Sequence, residues 1–142
     1  VPFYPDTSYQ CGPASLTGVL NYWGADITKE AVTESIYSAN ARGTLTIDMT
    51  YFAREKGFAV ERIEGSRRAI QQALKDGVPP ILLVDSSGLF TDQNHYLVVV
   101  GYSKQYAIVN AAGEERQWIR WDELLERWTM ADRWGITIRP DG

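Results

Sequence analysis

The stretch Tyr9-Gln10-Cys11-Gly12-Pro13-Ala14-Ser15 decides how this chain folds around its chemistry. Pro13 suits the first turn of a helix, because the N–H it lacks is one that a helix start leaves unbonded anyway. Leu16, Val19, Leu20 and Trp23 then return at helical spacing until Gly24 interrupts them, with Gly12 as the expected cap. The spacing predicts a helix over about Pro13 to Trp23 with one buried face. The only cysteine of the chain therefore stands at the mouth of its first helix. The only histidine opens a second stretch, His95-Tyr96-Leu97-Val98-Val99-Val100-Gly101-Tyr102, whose valine-rich apolar run reads as a buried strand. A thiol at a helix mouth and an imidazole at the head of a strand are the two halves of a cysteine nucleophile site.

Bulk properties permit such a site without requiring it. At 142 residues the chain is expected to form one domain, residues 1–142, with a core large enough to need no staple. One cysteine excludes an internal disulfide, and one cysteine with one histidine leaves too few soft ligands for an ordinary zinc site. No metal and no cofactor are expected, and Cys11 is either core filling or reactive. The net charge is 14 − 18 = −4, and the basic residues are scattered, so nucleic acid is an unsuitable partner. No apolar run approaches the about 18 residues that span a bilayer, and no signal-like segment is present. A first residue of valine and not methionine suggests a fragment or a processed product of a longer chain.

Helices come first and strands later. Thr28 is placed to cap a helix running to about Ser38, with Ile27 and Val32 as a hydrophobic staple; Thr46 caps another through Lys56, and Ser66 a third ended by Gly77. Phe58 to Arg62 reads as a short strand between them. After Pro80 the pattern turns to valine- and isoleucine-rich runs, Ile81–Val84, Tyr96–Tyr102, Tyr106–Asn110, Gln117–Arg120 and Trp134–Arg139, all read as strands. A short helix, Asp122 to Trp128, interrupts them. The expected architecture is α+β: an N-terminal helical half packed on a C-terminal antiparallel sheet.

A cysteine at a helix N-terminus sits near roughly half a positive charge and free backbone amides, which favour thiolate and can donate to an oxyanion. Against this stands the bland reading of a lone cysteine as a small buried hydrophobe. Gly12, Ala14 and Ser15 shift the balance, since small residues leave the helix start open to a substrate carbonyl. His95 could equally be a satisfied strand-edge histidine. The polar Thr91-Asp92-Gln93-Asn94 before it and the rigid strand behind it place it at a mouth.

With these residues in hand, the chain resembles the papain-like cysteine peptidases that remove double-glycine leaders from bacteriocins, in particular stand-alone bacterial members. Cys11-Gly12-Pro13-Ala14 at the first helix, Gly24 at its close, and the strand opened by His95 with a second strand after it carry the resemblance. Trp121–Trp128 and Trp134–Pro140 extend it weakly to the tail. The resemblance implies a papain-like fold and peptide-bond hydrolysis, with Cys11 as nucleophile and His95 as base and then acid. It implies a peptide or protein substrate for a monomeric domain. The cell envelope or periplasm, or the cytoplasmic face of a membrane transporter, is the implied setting. A transporter, repeat domain or membrane anchor is a candidate for the rest of the parent chain.

Two places depart from the family pattern. An aspartate there orients the histidine from the next strand, and counting on from His95 puts Ala111 at that position. Asn110 beside it is the natural substitute, with Asp85 and Asp92 as fallbacks. Strand alternation separates the cases: if paired residue numbers in this hairpin sum to an odd value, as in Val99 opposite Asn110, then Asn110 shares a face with His95. An even sum, as in Leu97 opposite Ala111, sends Asn110 to the other face. The family's oxyanion glutamine lies a few residues before the cysteine, where this chain has Pro5 and Asp6. An ionised Asp6 would repel an oxyanion; Gln10 supplies an amide donor, and the Cys11 backbone N–H serves in any case.

Tyr9 and Tyr96 adjoin site residues and are the candidate substrate-binding aromatics. Trp118, Trp121, Trp128 and Trp134 are read as packing residues, and Glu114-Glu115-Arg116 as a solvated hairpin tip. Two function classes follow: a cysteine peptidase, or a peptide-binding module that kept the cleft and lost the supporting residues. Acyl or amide transfer with the same pair is a third option.

Overall fold

The computed structural model describes residues 1–4, 11–37, 46–85, 94–111 and 114–141, with the backbone alone at positions 11, 37 and 94. Five helices and six strands follow in the order α1 (Cys11–Tyr22), α2 (Lys29–Tyr37), α3 (Thr46–Glu55), β1 (Phe58–Arg62), α4 (Arg67–Lys75), β2 (Ile81–Asp85), β3 (Asn94–Tyr102), β4 (Tyr106–Ala111), β5 (Glu114–Arg120), α5 (Trp121–Thr129) and β6 (Gly135–Pro140). Each element that the spacing predicts is present, within a few residues at its ends.

Local chemistry accounts for the boundaries. Ser66 caps α4 as predicted, its hydroxyl accepting the Ala69 N–H at 3.1 Å. Thr28 does the same for α2 toward the Ala31 N–H, also at 3.1 Å. Helix α1 begins two residues earlier than Pro13, so Gly12 lies inside its first turn and is not its cap. The first turn of a helix tolerates both Gly12 and Pro13 because its N–H groups have no partner within the helix. The turn from α3 into β1 needs the left-handed backbone that Gly57 adopts at φ +92°.

The strands form one antiparallel sheet in the order β1-β6-β2-β3-β4-β5. Helices cover both of its faces, where the sequence predicts a helical half on one. Leu16, Val19 and Leu20 of α1, Val32 and Ile36 of α2, and Met49 and Ala53 of α3 meet Ile81, Tyr96, Val98, Ile136 and Ile138 on the first face. Ile70 of α4 and Leu124 and Trp128 of α5 meet Leu82, Val84, Leu97, Val99 and Val109 on the second. The continuous apolar runs of β2 and β3 follow from this, since both parities of the strand are buried. Each fully buried leucine, isoleucine or valine contributes about 1.5–3 kcal/mol.

One expected packing residue is not buried. Trp121 and Trp128 are core residues, but Trp118 is 57% exposed. It stands opposite Ile108 on the edge strand β5, on the parity that points away from the α4–α5 layer, and meets Tyr106 edge-on at 5.7 Å between ring centroids.

Candidate active site

His95 is the second residue of β3 and only 4% exposed. Across the β2–β3 pair it stands opposite Val84, as Leu97 stands opposite Leu82. Val84, Leu82 and Leu97 all belong to the second-face core. Alternation therefore puts His95 on that side of β3, and Tyr96 and Val98 on the side that α1 covers. Tyr96, 7% exposed, is held edge-on against Trp134 at 5.7 Å between centroids.

Helix α1 presents its N-terminus at Cys11. In its second turn the buried Thr17 hydroxyl donates to the Pro13 carbonyl at 2.6 Å, an engagement of a helical carbonyl that keeps the hydroxyl satisfied inside the core. Position 11 lies one helical turn before Ala14 and Ser15, in the same stripe as Gly18. The Cys11 side chain, and Asp6, Tyr9, Gln10 and Asp92, lie outside the described residues. Asp85, the other fallback orienter, closes β2, where its carbonyl accepts from Arg127 Nη1 at 3.0 Å.

The Ala14–Ser15–Gly18 stripe forms one wall of a narrow cleft, and Tyr96, Val98 and Asn110 form the facing wall, with Ala111 reaching its lining from the end of β4. The N-terminal segment Pro2–Tyr4 closes it above. Gly18 is required there: a Cβ at this position would come within 2.6 Å of the Pro2 carbonyl oxygen. Tyr4 ties the segment down by accepting, at its hydroxyl, from Asn21 Nδ2 at 2.8 Å. Tyr96 thus lines a cleft beside the helix that carries Cys11.

The β3–β4 register answers the question of Asn110. Val98 pairs with Asn110 and Val99 with Val109, an even sum. The shift to an odd sum comes only farther from His95, between Val99 and Gly101. Asn110 therefore shares the α1 face with Val98, not the face of His95. Its expected role in orienting His95 is corrected on that ground. The Asn110 side chain is committed elsewhere: Oδ1 accepts the Arg116 N–H at 2.9 Å, bridging an irregularity in β4–β5 where Arg116 adopts φ +56°. The residue that falls on His95's face is Ala111, 4% exposed and part of the second-face core. Carrying the register one step on sets Ala111 beside Leu97, diagonal to His95.

No group of three or more His, Cys, Asp or Glu placed to hold a metal ion occurs among the described residues. No helix among them is long and apolar enough to cross a membrane.

The model of the Peptidase_C39 like family matches residues 1–136. The chain belongs to that family. The fold of this family member agrees: a protein from Bacillus anthracis assigned as a C39-like peptidase superposes with a TM-score of 0.80 at 13% identity, over 100% of this chain and 96% of the other. The peptidase domain of Streptococcus ComA, a bi-functional ABC transporter of a quorum-sensing pathway, gives 0.71 at 21% identity, covering 96% of each chain. A double glycine motif protease from an AMS/PCAT transporter, in complex with the leader peptide, gives 0.70 at 22% identity, over 99% of this chain and 91% of that one. In sequence, no curated protein matches this C39-like chain. The likeness to these structures is one of fold, and the α+β architecture with an antiparallel sheet is that of C39 peptidase domains.

Sequence reading picked out Ser15 beside the helix start but passed over Gly18 and the Pro2–Tyr4 segment as components of the cleft. A glycine in the middle of an apolar helix is the one signal that could have found them, since it marks a close backbone approach.

Proposed function

We propose that this C39-like domain is a cysteine peptidase acting slowly on an extended peptide, of the kind of the leader peptide held by the double glycine motif protease. The reading rests on one observation: the β3–β4 register leaves a methyl group, Ala111, on the face where His95 needs an orienting carboxylate. Cys11, at the start of α1, and His95, beside the start of β3, then work as a pair across the end of the sheet and not through either face. His95 takes the proton of the Cys11 thiol, and the thiolate attacks the peptide carbonyl carbon. The N–H groups at the start of α1, that of Cys11 included, stabilise the oxyanion. The C–N bond breaks as the protonated His95 returns the proton to the amine. Water, deprotonated by the same imidazole, hydrolyses the thioester and releases the acid. With a methyl group in place of a carboxylate at position 111, the imidazolium loses the charge balance that the family draws from that position, so turnover is low. Gln10 and Asp6 remain the candidates to line the oxyanion site, and Tyr9 and Tyr96 the substrate groove.

Ala111 also favours a second reading, a peptide-binding module that retains Cys11 and His95 without turnover. Alkylation by iodoacetamide across pH, in the wild type and in His95→Ala, separates the two. The peptidase reading expects a thiol that reacts faster below its ordinary pKa of about 8.5 and loses that advantage in His95→Ala. A thiol of ordinary reactivity, indifferent to His95, overturns it.

A further inference from the structure

The end of β2 that stands beside His95 is an overhang. Alternation along β2 settles which way its main-chain groups point: the Pro80 carbonyl accepts the Val99 N–H of β3 at 3.0 Å, while the Leu83 N–H donates to the Trp134 carbonyl, on the β6 side, at 3.1 Å. Residues of even number therefore bond β3 and those of odd number face β6, which makes Val84 and His95 a hydrogen-bonded pair. Val84 thus holds His95 by its main chain. On the other side, β6 pairs with β2 at Ile81 and Leu82. The chain that leads into β6 turns out of α5 through Asp132 and Arg133, whose φ of +59° and +52° take the backbone out of the extended region. The Asp85 carbonyl, at the last rung of β2, faces the gap that this turn leaves.

Arg127 reaches into that gap. From α5 its Nη1 donates to the Asp85 carbonyl at 3.0 Å, and its Nε is held by Glu123 Oε2, one turn earlier, at 3.2 Å. Trp128, the next residue, donates Nε1 at 2.8 Å to the Trp134 carbonyl, the one that also receives Leu83. Two consecutive residues of one helix therefore bond main-chain carbonyls where β6 leaves β2. Trp128 is wholly buried and docks the helix. The Arg127–Glu123 pair is part-exposed and contributes little stability by itself. What a rigid guanidinium fork supplies at such a place is geometry.

We infer that Arg127 is a positioning residue for His95. It holds the Asp85–Asn94 rung from the side that β6 has left, and so fixes the Val84–His95 pair next to it, from which the imidazole is aimed. With the Ala111 methyl on His95's face, placement of the main chain takes a larger share of that task. The effect on rate rests on the peptidase reading of Cys11 and His95, whereas the effect on the imidazole rests on the β2–α5 geometry alone.

His95 is the only histidine of the chain, so its imidazole gives one set of ring carbon–proton signals by NMR, whether or not the protein turns over. These are compared in the intact wild type, Arg127→Met, which keeps an apolar stem and loses the donors, and Arg127→Lys, which keeps a cationic donor. The His95 signals shift or broaden in Arg127→Met and return toward the wild type in Arg127→Lys. Glu123→Gln, a surface change that releases Arg127 without removing it, gives the same change in smaller measure. Iodoacetamide alkylation of Cys11, below the ordinary thiol pKa of about 8.5, slows about tenfold or more in Arg127→Met, because a misplacement of about 1 Å can cost about 10²-fold. On a double-glycine peptide the loss falls in kcat and leaves KM. A role in docking α5 alone lowers the denaturation midpoint and leaves the His95 signals of the folded variants as in the wild type, and that result overturns the inference. Altered His95 signals with alkylation equal in the wild type and His95→Ala overturn the peptidase reading and leave the positioning of the imidazole in place.

Discussion

Val98 and Asn110 face each other across the β3–β4 pair, and that pairing puts Asn110 on the opposite side of the sheet from His95. The Asn110 carboxamide is thereby a structural group, holding the Arg116 N–H at 2.9 Å where β4–β5 is irregular. Asn110→Ala leaves that N–H without its side-chain partner and should cost about 1–2 kcal/mol. The cost is read as a lower denaturation midpoint at unchanged m-value. The rate of Cys11 alkylation in the folded state should stay as in the wild type. A fall comparable to that in His95→Ala would return Asn110 to the catalytic site.

Position 111 offers the complementary experiment. A carboxylate placed there stands on His95's face, diagonal to it, so Ala111→Asp should raise kcat/KM on a double-glycine peptide. Removing such a carboxylate from a complete triad costs about 10⁴-fold, so a partial restoration of roughly 10- to 100-fold is the expected gain. Ala111→Asn controls for shape without charge and should give less. Ala111 is buried, so an aspartate there also lowers stability, and the melting temperature of each variant is measured alongside. A folded Ala111→Asp with unchanged turnover removes the argument from the missing carboxylate.

What the sequence made legible follows from which forces are local. Ser66, Thr28, Gly57 and Pro13 announce helix ends through their own backbone and side-chain chemistry, and each stands at or near such an end. The continuous apolar run of β3 announced a strand buried on both faces, though not that α4 and α5 supply the second cover. Register is different in kind. Asn110 and Ala111 differ by one position, and which of them shares a face with His95 depends on a pairing between strands that no local pattern encodes. Trp118 was misread for a related reason: on the same edge strand Ile119 is buried against the α4–α5 layer while Trp118 takes the opposite parity, which is left in solvent.

Asp6 tests the oxyanion side of the site by charge. A carboxylate near a developing oxyanion raises the barrier, and an amide in its place supplies a donor. Asp6→Gln should therefore raise kcat on a peptide substrate, by up to about 10²-fold if the new amide reaches the oxyanion and by less if only the repulsion is relieved. The gain belongs in kcat more than in KM, because the charge exists only after attack. A drop in kcat with KM unchanged would falsify the assignment of Asp6 to the neighbourhood of the oxyanion.

Gly18 tests how the cleft is closed. Its missing side chain lets the Pro2 carbonyl approach α1, and a methyl group there would lie 2.6 Å from that oxygen, so the N-terminal segment must lift. A residue with a Cβ is otherwise favoured in mid-helix, by about 0.5–1 kcal/mol for alanine over glycine. The two effects oppose each other, and a contact this short against backbone, with an overpacking cost of about 1–3 kcal/mol, wins. Gly18→Ala should lower the melting temperature. Deleting residues 1–3 from both forms separates the terms, because without Pro2 only the helix preference remains and Gly18→Ala becomes stabilising. The coupling in this double-mutant cycle measures the contact between the segment and α1, and a cycle that closes to within about 0.3–0.5 kcal/mol shows that the two do not touch in solution.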